Sequence, residues 1–113
     1  MRFEVTEAYD EQYIDPIRFE VGDAVEVTRP VTKYPGWFWC RAASGIEGWV
    51  HGSCLASVSG TTTATQAYSA SELTVSVGDR GRVLRQLDGW ALVGLGDGLE
   101  GWIPLTNISI KEP

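Results

Sequence analysis

The chain has 113 residues, of which 43% are hydrophobic, so it is long enough for one average domain or two very small ones. Its net charge of −6 argues against nucleic acid or an anionic membrane as the main partner, because both would repel an acidic surface. No signal peptide and no stretch near the roughly 18 apolar residues of a membrane span is visible, so we expect a cytoplasmic location.

The sequence contains an internal repeat whose landmarks occur in the same order twice. GIEGWV at residues 45–50 returns as GLEGWI at residues 98–103. Three further pairs recur ahead of it: Ala8-Tyr9 and Ala67-Tyr68, Gly22-Asp23 and Gly78-Asp79, Gly36-Trp37 and Gly89-Trp90. The first copy is longer in the two intervals between these pairs. Loops between strands tolerate such length changes, which indicates a duplication.

The segments between landmarks are typical of β-strands. IRFEV and ELTVSV alternate, which places Ile17, Phe19 and Val21, or Leu73, Val75 and Val77, on one face. The Gly-Asp pair that follows each of these segments predicts a turn. A new strand is predicted at AVEV and at GRVL. The next strands are GWFWCRA and GWALVGL, and a turn connects them to EGWV and EGWI. Gly, Pro and β-branched residues interrupt every helical window. Each half is therefore predicted to form about five short antiparallel strands that curl into a small barrel.

These landmarks resemble the Src-homology-3 (SH3) domain, twice over. VTEAYDE and ATQAYSA are similar to the family's Ala-Leu-Tyr-Asp-Tyr-x-Ala, with Val5 and Ala64 at the core position. EGWVHGSCL and EGWIPLTNI are similar to its Gly-Tyr-Ile-Pro-Ser-Asn-Tyr-Val. The arrangement also resembles small bacterial tandem proteins called ligand-binding SH3 proteins. The resemblance implies two tandem SH3-like barrels, residues 1–57 and 63–113, joined by a linker at 58–62 that is short enough to favour packing of one barrel on the other.

In the SH3 family an aromatic groove holds a polyproline helix, and the resemblance places such groove residues in the first repeat. Tyr9 and Trp37 match a groove tyrosine and the groove tryptophan, and His51 stands where the family has proline. Tyr13 and Asp15 lie in the acidic loop beside the groove and are predicted to supply an aromatic wall and a carboxylate. Trp39, two residues from Trp37 on a strand, is predicted to face the same side as Trp37.

In the second repeat the resemblance carries over Tyr68, Trp90 and Pro104 to the groove, and Glu72 to the acidic position that pairs with a basic ligand residue. The family's last groove tyrosine is replaced by Cys54 in one repeat and by Asn107 in the other. Neither repeat keeps the full aromatic set.

Several of these residues have a second interpretation. Trp37 and Trp90 line a groove or pack against the other repeat, and the Trp37–Trp39 pair binds a ligand or is covered by the second repeat. Phe38 and Cys40 are expected to point inward, and Cys40 and Cys54 to be buried thiols. Catalytic residues, a metal site and a cofactor are not predicted.

The preferred hypothesis is a non-enzymatic module that docks an extended peptide, proline-containing or basic, in the aromatic grooves. One alternative is a structural or self-associating tandem barrel with no peptide ligand. Another is a cell-wall-binding SH3-like module.

Overall fold

A computed structural model describes residues 1–13, 15–30 and 32–111. In this part of the chain all regular structure is β-strand apart from two 3-10 turns, which confirms the all-β prediction, and none of its helices has the length and apolarity to cross a bilayer. The strands are β1 Arg2–Val5, β2 Arg18–Phe19, β3 Ala24–Arg29, β4 Trp37–Ala42, β5 Glu47–His51, β6 Gly60–Thr63, β7 Tyr68–Ser69, β8 Arg80–Leu87, β9 Trp90–Leu95, β10 Glu100–Pro104 and β11 Ile108–Lys111; the 3-10 turns are Gly52–Cys54 and Leu105–Asn107.

The chain divides into two compact units that do not follow the order of the repeats. Unit 1 contains residues 1–14 and 71–113, and unit 2 contains residues 15–70. The sequence repeats predict a division at residues 58–62 instead. The difference arises because the first strand of each repeat joins the strands of the other repeat.

Unit 1 is built on a sheet in which β1 lies between two strands of the second repeat. The strand order is β10-β9-β8-β1-β11, and every neighbouring pair is antiparallel. Phe3 and Val5 of β1 are buried in one hydrophobic core with Val93 and Ile103. Val5 thus occupies a core position, as predicted, but in the barrel of the second repeat.

Unit 2 shows the reciprocal arrangement. Its larger sheet has the order β5-β4-β3-β6. Strand β6, which lies mostly in the predicted linker 58–62 and leads into the second repeat, pairs with β3 of the first repeat. The backbone N–H of Ala56 donates to Thr63 at 3.0 Å, and Gly60 takes a positive φ of 64° in the turn between them. This tight hairpin leads directly from the first repeat into the strand that closes its barrel, where the sequence predicts a linker.

The side-chain sizes fit this exchange, in which β1 pairs with β8 and β6 pairs with β3. Phe3 lies opposite Gly81, and Thr62 lies opposite Val25 at the equivalent position of unit 2. Closure of each repeat on its own first strand would put Phe3 opposite Val25, which crowds two large side chains, and Thr62 opposite glycine. Overpacking and cavities are both destabilising.

The alternating burial predicted for the two segments before Gly-Asp is confirmed except at the last residue of each segment. Ile17, Phe19 and Val75 are buried, whereas Val21 and Val77 are 66% and 67% exposed. Each of these two valines lies inside a turn in which the aspartate of the Gly-Asp pair hydrogen-bonds the backbone three residues earlier. The turn reverses the chain before the valine can reach the core.

The glycine of the repeated Glu-Gly-Trp motif is required for steric reasons. A Cβ atom at Gly48 would lie 2.7 Å from Cγ2 of Ile17, and a Cβ atom at Gly101 would lie 2.7 Å from Cγ of Leu73. The backbone N–H of Trp102 also donates to the carbonyl of Ser71 at 2.9 Å. The glycines therefore let the preceding segment of each unit lie directly on the strand.

We predict that Gly101→Ala destabilises the protein by about 1–3 kcal/mol, because the new methyl group overpacks the contact with Leu73. Gly96→Ala is the matched control, since a Cβ atom there meets nothing within 4 Å. Urea unfolding of both variants measures the difference. Equal midpoints for the two variants would contradict the steric explanation.

Candidate functional site

Unit 1 carries a partly open aromatic surface formed by Tyr9, Trp90 and Pro104. Trp90 lies directly opposite Pro104 in the β9–β10 pair, so both side chains emerge on one face of the sheet. The ring of Tyr9 meets the Trp90 ring edge-on, with 6.0 Å between centroids and an interplanar angle of 81°. All three side chains are neither fully buried nor fully exposed. We call this set, together with Glu72, the unit 1 groove.

Glu72 lies at the edge of the unit 1 groove and holds the adjacent loop. Its Oε1 accepts a hydrogen bond from the Tyr9 hydroxyl at 2.8 Å and another from the backbone N–H of Gln12 at 2.8 Å. The backbone N–H of Glu11 donates to Oγ1 of Thr74 at 3.1 Å. These contacts fix the loop that carries Tyr13, whose side chain is 42% exposed.

The Tyr9 hydroxyl acts as a permanent donor in this arrangement. Burial raises the pKa of Tyr9 well above its ordinary value, and the hydrogen bond to Glu72 and the charge of Glu72 raise it further, with a contribution from Tyr13. The phenol therefore stays protonated and keeps its contact with the carboxylate at neutral pH.

Asn107 has a role in the groove that the sequence resemblance did not indicate. It stands where the SH3 family has a groove tyrosine, and it is buried. Its Nδ2 donates to the carbonyls of Glu7 at 3.2 Å and Ala8 at 3.1 Å. Asn107 thus ties the chain just before Tyr9 to the 3-10 turn Leu105–Asn107, which positions the tyrosine ring.

The equivalent aromatic residues of unit 2 are buried. Trp37 and Tyr68 are each only 8% exposed. The imidazole of His51 lies edge-on to the Trp37 ring at 5.1 Å, and its Nδ1 accepts the backbone N–H of Ser53 at 3.2 Å, which caps the 3-10 turn. The Tyr68 hydroxyl donates to the carbonyl of Trp49 at 2.9 Å. Both rings therefore have too little exposed surface to form an open slot.

The structure divides the ten predicted groove residues between units, and not by repeat. Unit 1 receives Tyr9, Tyr13, Glu72, Trp90 and Pro104, and unit 2 receives Asp15, Trp37, Trp39, His51 and Tyr68. Tyr9 therefore meets Trp90 instead of the Trp37 of its own repeat. The sequence predicts the residue types of the groove, but not which copies of them come together.

The two cysteines are free thiols inside unit 2. Both Cys40 and Cys54 have no exposed surface, and burial raises the pKa of Cys40 to about 12. Phe38, which was predicted to point inward, is partly exposed.

Among the described residues, His, Cys, Asp and Glu side chains form no group of three or more that could hold a metal ion.

Comparison with models of protein families matches residues 2–58 to the family described as Variant SH3 domain. The match covers half of the chain and ends at the close of the first repeat. Neither the curated proteins nor the solved structures that were searched give a match.

The burial of Cys40 predicts a dependence of stability on alkaline pH. The thiol ionises near its ordinary value of 9 in the unfolded chain and near 12 in the folded chain, so the unfolded state binds fewer protons between these values. The free energy of unfolding should therefore decrease as pH rises through this window. Chemical unfolding of wild type and Cys40→Val at several alkaline pH values measures the difference. An equally steep decrease in both proteins would contradict the assignment to Cys40.

Proposed function

Because the chain belongs to the variant SH3 domain family, whose members are generally non-catalytic protein-interaction modules, we propose that the unit 1 groove binds an extended, proline-containing peptide of another protein. A basic residue of that peptide would lie beside Glu72.

The observation that carries this proposal is the partly open surface of Tyr9, Trp90 and Pro104 beside a fixed carboxylate. A polyproline helix exposes flat pyrrolidine rings at a regular spacing and is already extended before binding, so it loses little conformational entropy in an aromatic slot. The hydrogen bonds of Glu72 hold the Tyr9 ring in place before any ligand arrives. Preorganisation of this kind favours affinity.

The charges around the groove favour a basic ligand residue. Glu72 remains an acceptor for an incoming guanidinium or ammonium group, because its hydrogen bonds to Tyr9 and Gln12, both among the described residues, end on the same oxygen. Asp10 and Glu11 are exposed in the same loop, and the whole chain carries a net charge of −6. An acidic groove edge attracts a basic peptide and raises its association rate.

The burial of the aromatic side chains in unit 2 supports one peptide groove per chain instead of two. Trp37 and Tyr68, the counterparts of Trp90 and Tyr9, have too little exposed surface to stack on prolines. A single shallow groove buries little area, so we expect weak, transient binding.

We predict that a dodecapeptide with a Pro-x-x-Pro core and a flanking arginine binds the full chain, and that Trp90→Ala weakens binding by about tenfold or more through loss of the stacking surface. Glu72→Gln should weaken it less, and the loss should shrink at high salt, because the charge is removed while the size of the side chain is kept. Isothermal titration calorimetry provides the dissociation constants.

Glu100→Gln is the matched control, because Glu100 is an exposed acid of the same unit outside the groove. It should leave the affinity nearly unchanged. Equal binding by wild type and Trp90→Ala, or no binding by any peptide of this class, would refute the proposal.

A further inference from the structure

We propose that unit 2 carries a second binding surface, which takes an acidic peptide segment of another protein. We call it the aromatic row: Tyr34, Trp49 and Trp39, flanked by Arg29 and Lys33. The inference is independent of the unit 1 groove, since it uses none of the same residues.

The aromatic row is a continuous series of ring contacts on the outer face of the β4–β5 pair. Trp39 lies directly opposite Trp49, with ring centroids 5.2 Å apart and an interplanar angle of 79°. The Tyr34 ring also meets the Trp49 ring edge-on, with 5.3 Å between centroids and an interplanar angle of 87°. Tyr34 is 50% exposed, and both tryptophans are partly exposed. A surface of three adjoining rings offers more apolar area than isolated surface residues do.

Cations stand at both ends of the aromatic row. The guanidinium of Arg29 lies 5.0 Å from the centroid of the Trp39 ring, and the ammonium of Lys33 lies 5.6 Å from the centroid of Tyr34. Among the described residues neither cation forms an ion pair with a carboxylate. Both charges therefore remain available to a ligand.

The acids on the same face do not cancel these charges. Arg41 is within 3.2 Å of Glu26 and 3.4 Å of Glu47, so these carboxylates already share a cation of their own. The result is a locally basic aromatic patch in a chain with a net charge of −6. Its charge is complementary to acidic side chains, and its rings are complementary to apolar ones.

The loop that carries part of the row belongs to the longer first repeat and is held in place. The hydroxyl of Thr32 donates to the carbonyl of Trp37 at 2.8 Å and accepts the backbone N–H of Tyr34 at 3.3 Å. Unit 1 has only the short turn around Asp88 and Gly89 at this place. The extra residues of the first repeat thus build a surface that unit 1 lacks.

The chemistry of the row specifies the ligand class. A short extended segment with Asp or Glu on either side of Leu, Phe or Trp would place apolar side chains on the rings and carboxylates beside Arg29 and Lys33. Aromatic and arginine side chains are also the residue types that dominate binding energy at protein interfaces.

The test uses the full chain and a degenerate dodecapeptide library in which Glu or Asp alternates with Leu, Phe or Trp. A charge-reversed library with Lys in place of the acids is the matched ligand control. Fluorescence anisotropy of labelled pools should show binding of the acidic pool only. Arg29→Gln combined with Lys33→Gln, and separately Tyr34→Ala, should each weaken that binding about tenfold or more. Arg18→Gln, which removes another exposed cation of unit 2, should not.

The outcomes separate this surface from the unit 1 groove. Trp90→Ala should leave binding of the acidic pool unchanged, and the Arg29/Lys33 double variant should leave binding of the proline–arginine peptide unchanged. No binding of the acidic pool, or equal binding of the Lys pool, would overturn the proposal. Sedimentation that shows a dimer of the free protein, lost in the double variant, would also overturn it by identifying a second copy of the chain as the occupant.

Discussion

The pairing of Arg2–Val5 with β8 and β11 is the interaction on which the rest of unit 1 depends. A strand inside a sheet must satisfy the backbone groups of both its edges, and this strand finds its partners in the other repeat. It also delivers Phe3 and Val5 to the core, where burial of each side chain contributes about 1.5–3 kcal/mol. The reciprocal pairing of β6 with β3 closes unit 2 in the same way.

This exchange determines which aromatic residues meet. Tyr9 follows β1 into unit 1 and therefore contacts Trp90, while Tyr68 follows β6 into unit 2 and donates its hydroxyl to the backbone of Trp49. The first arrangement leaves the rings of Tyr9 and Trp90 partly exposed beside Glu72, whereas in unit 2 Trp37 and Tyr68 are buried. Unit 2 has instead an aromatic surface with cationic ends. The two units thus differ in the charges beside their aromatic side chains: a carboxylate in unit 1 and two cations in unit 2.

The local features of this fold follow from the sequence, and the long-range ones do not. Alternation and turn residues predict the strands, because hairpins are formed by neighbours in the chain. The burial of Val5 and Ala64 follows from the resemblance to the SH3 family, which places both at a core position. The sequence does not show whether β1 pairs with β3 or with β8, since both strands offer the same backbone hydrogen-bonding pattern. The fit of Phe3 to Gly81 and of Thr62 to Val25 distinguishes them. For the same reason the sequence did not predict the contact of Tyr9 with Trp90 or the hydrogen bonds of Asn107 to Glu7 and Ala8.

Disulfide trapping in the full chain tests the exchange most directly. Glu4 lies opposite Arg80, their side chains are 3.3 Å apart, and Ala24 is the position equivalent to Arg80 in unit 2. The native thiols are buried and should not interfere. Under mild oxidation Glu4→Cys/Arg80→Cys should form an intramolecular disulfide in nearly all molecules, because opposed strand positions have the Cα spacing that a disulfide requires. Glu4→Cys/Ala24→Cys should form none. Efficient cross-linking of the second pair, with little of the first, would show that each repeat closes on its own first strand and would contradict the account.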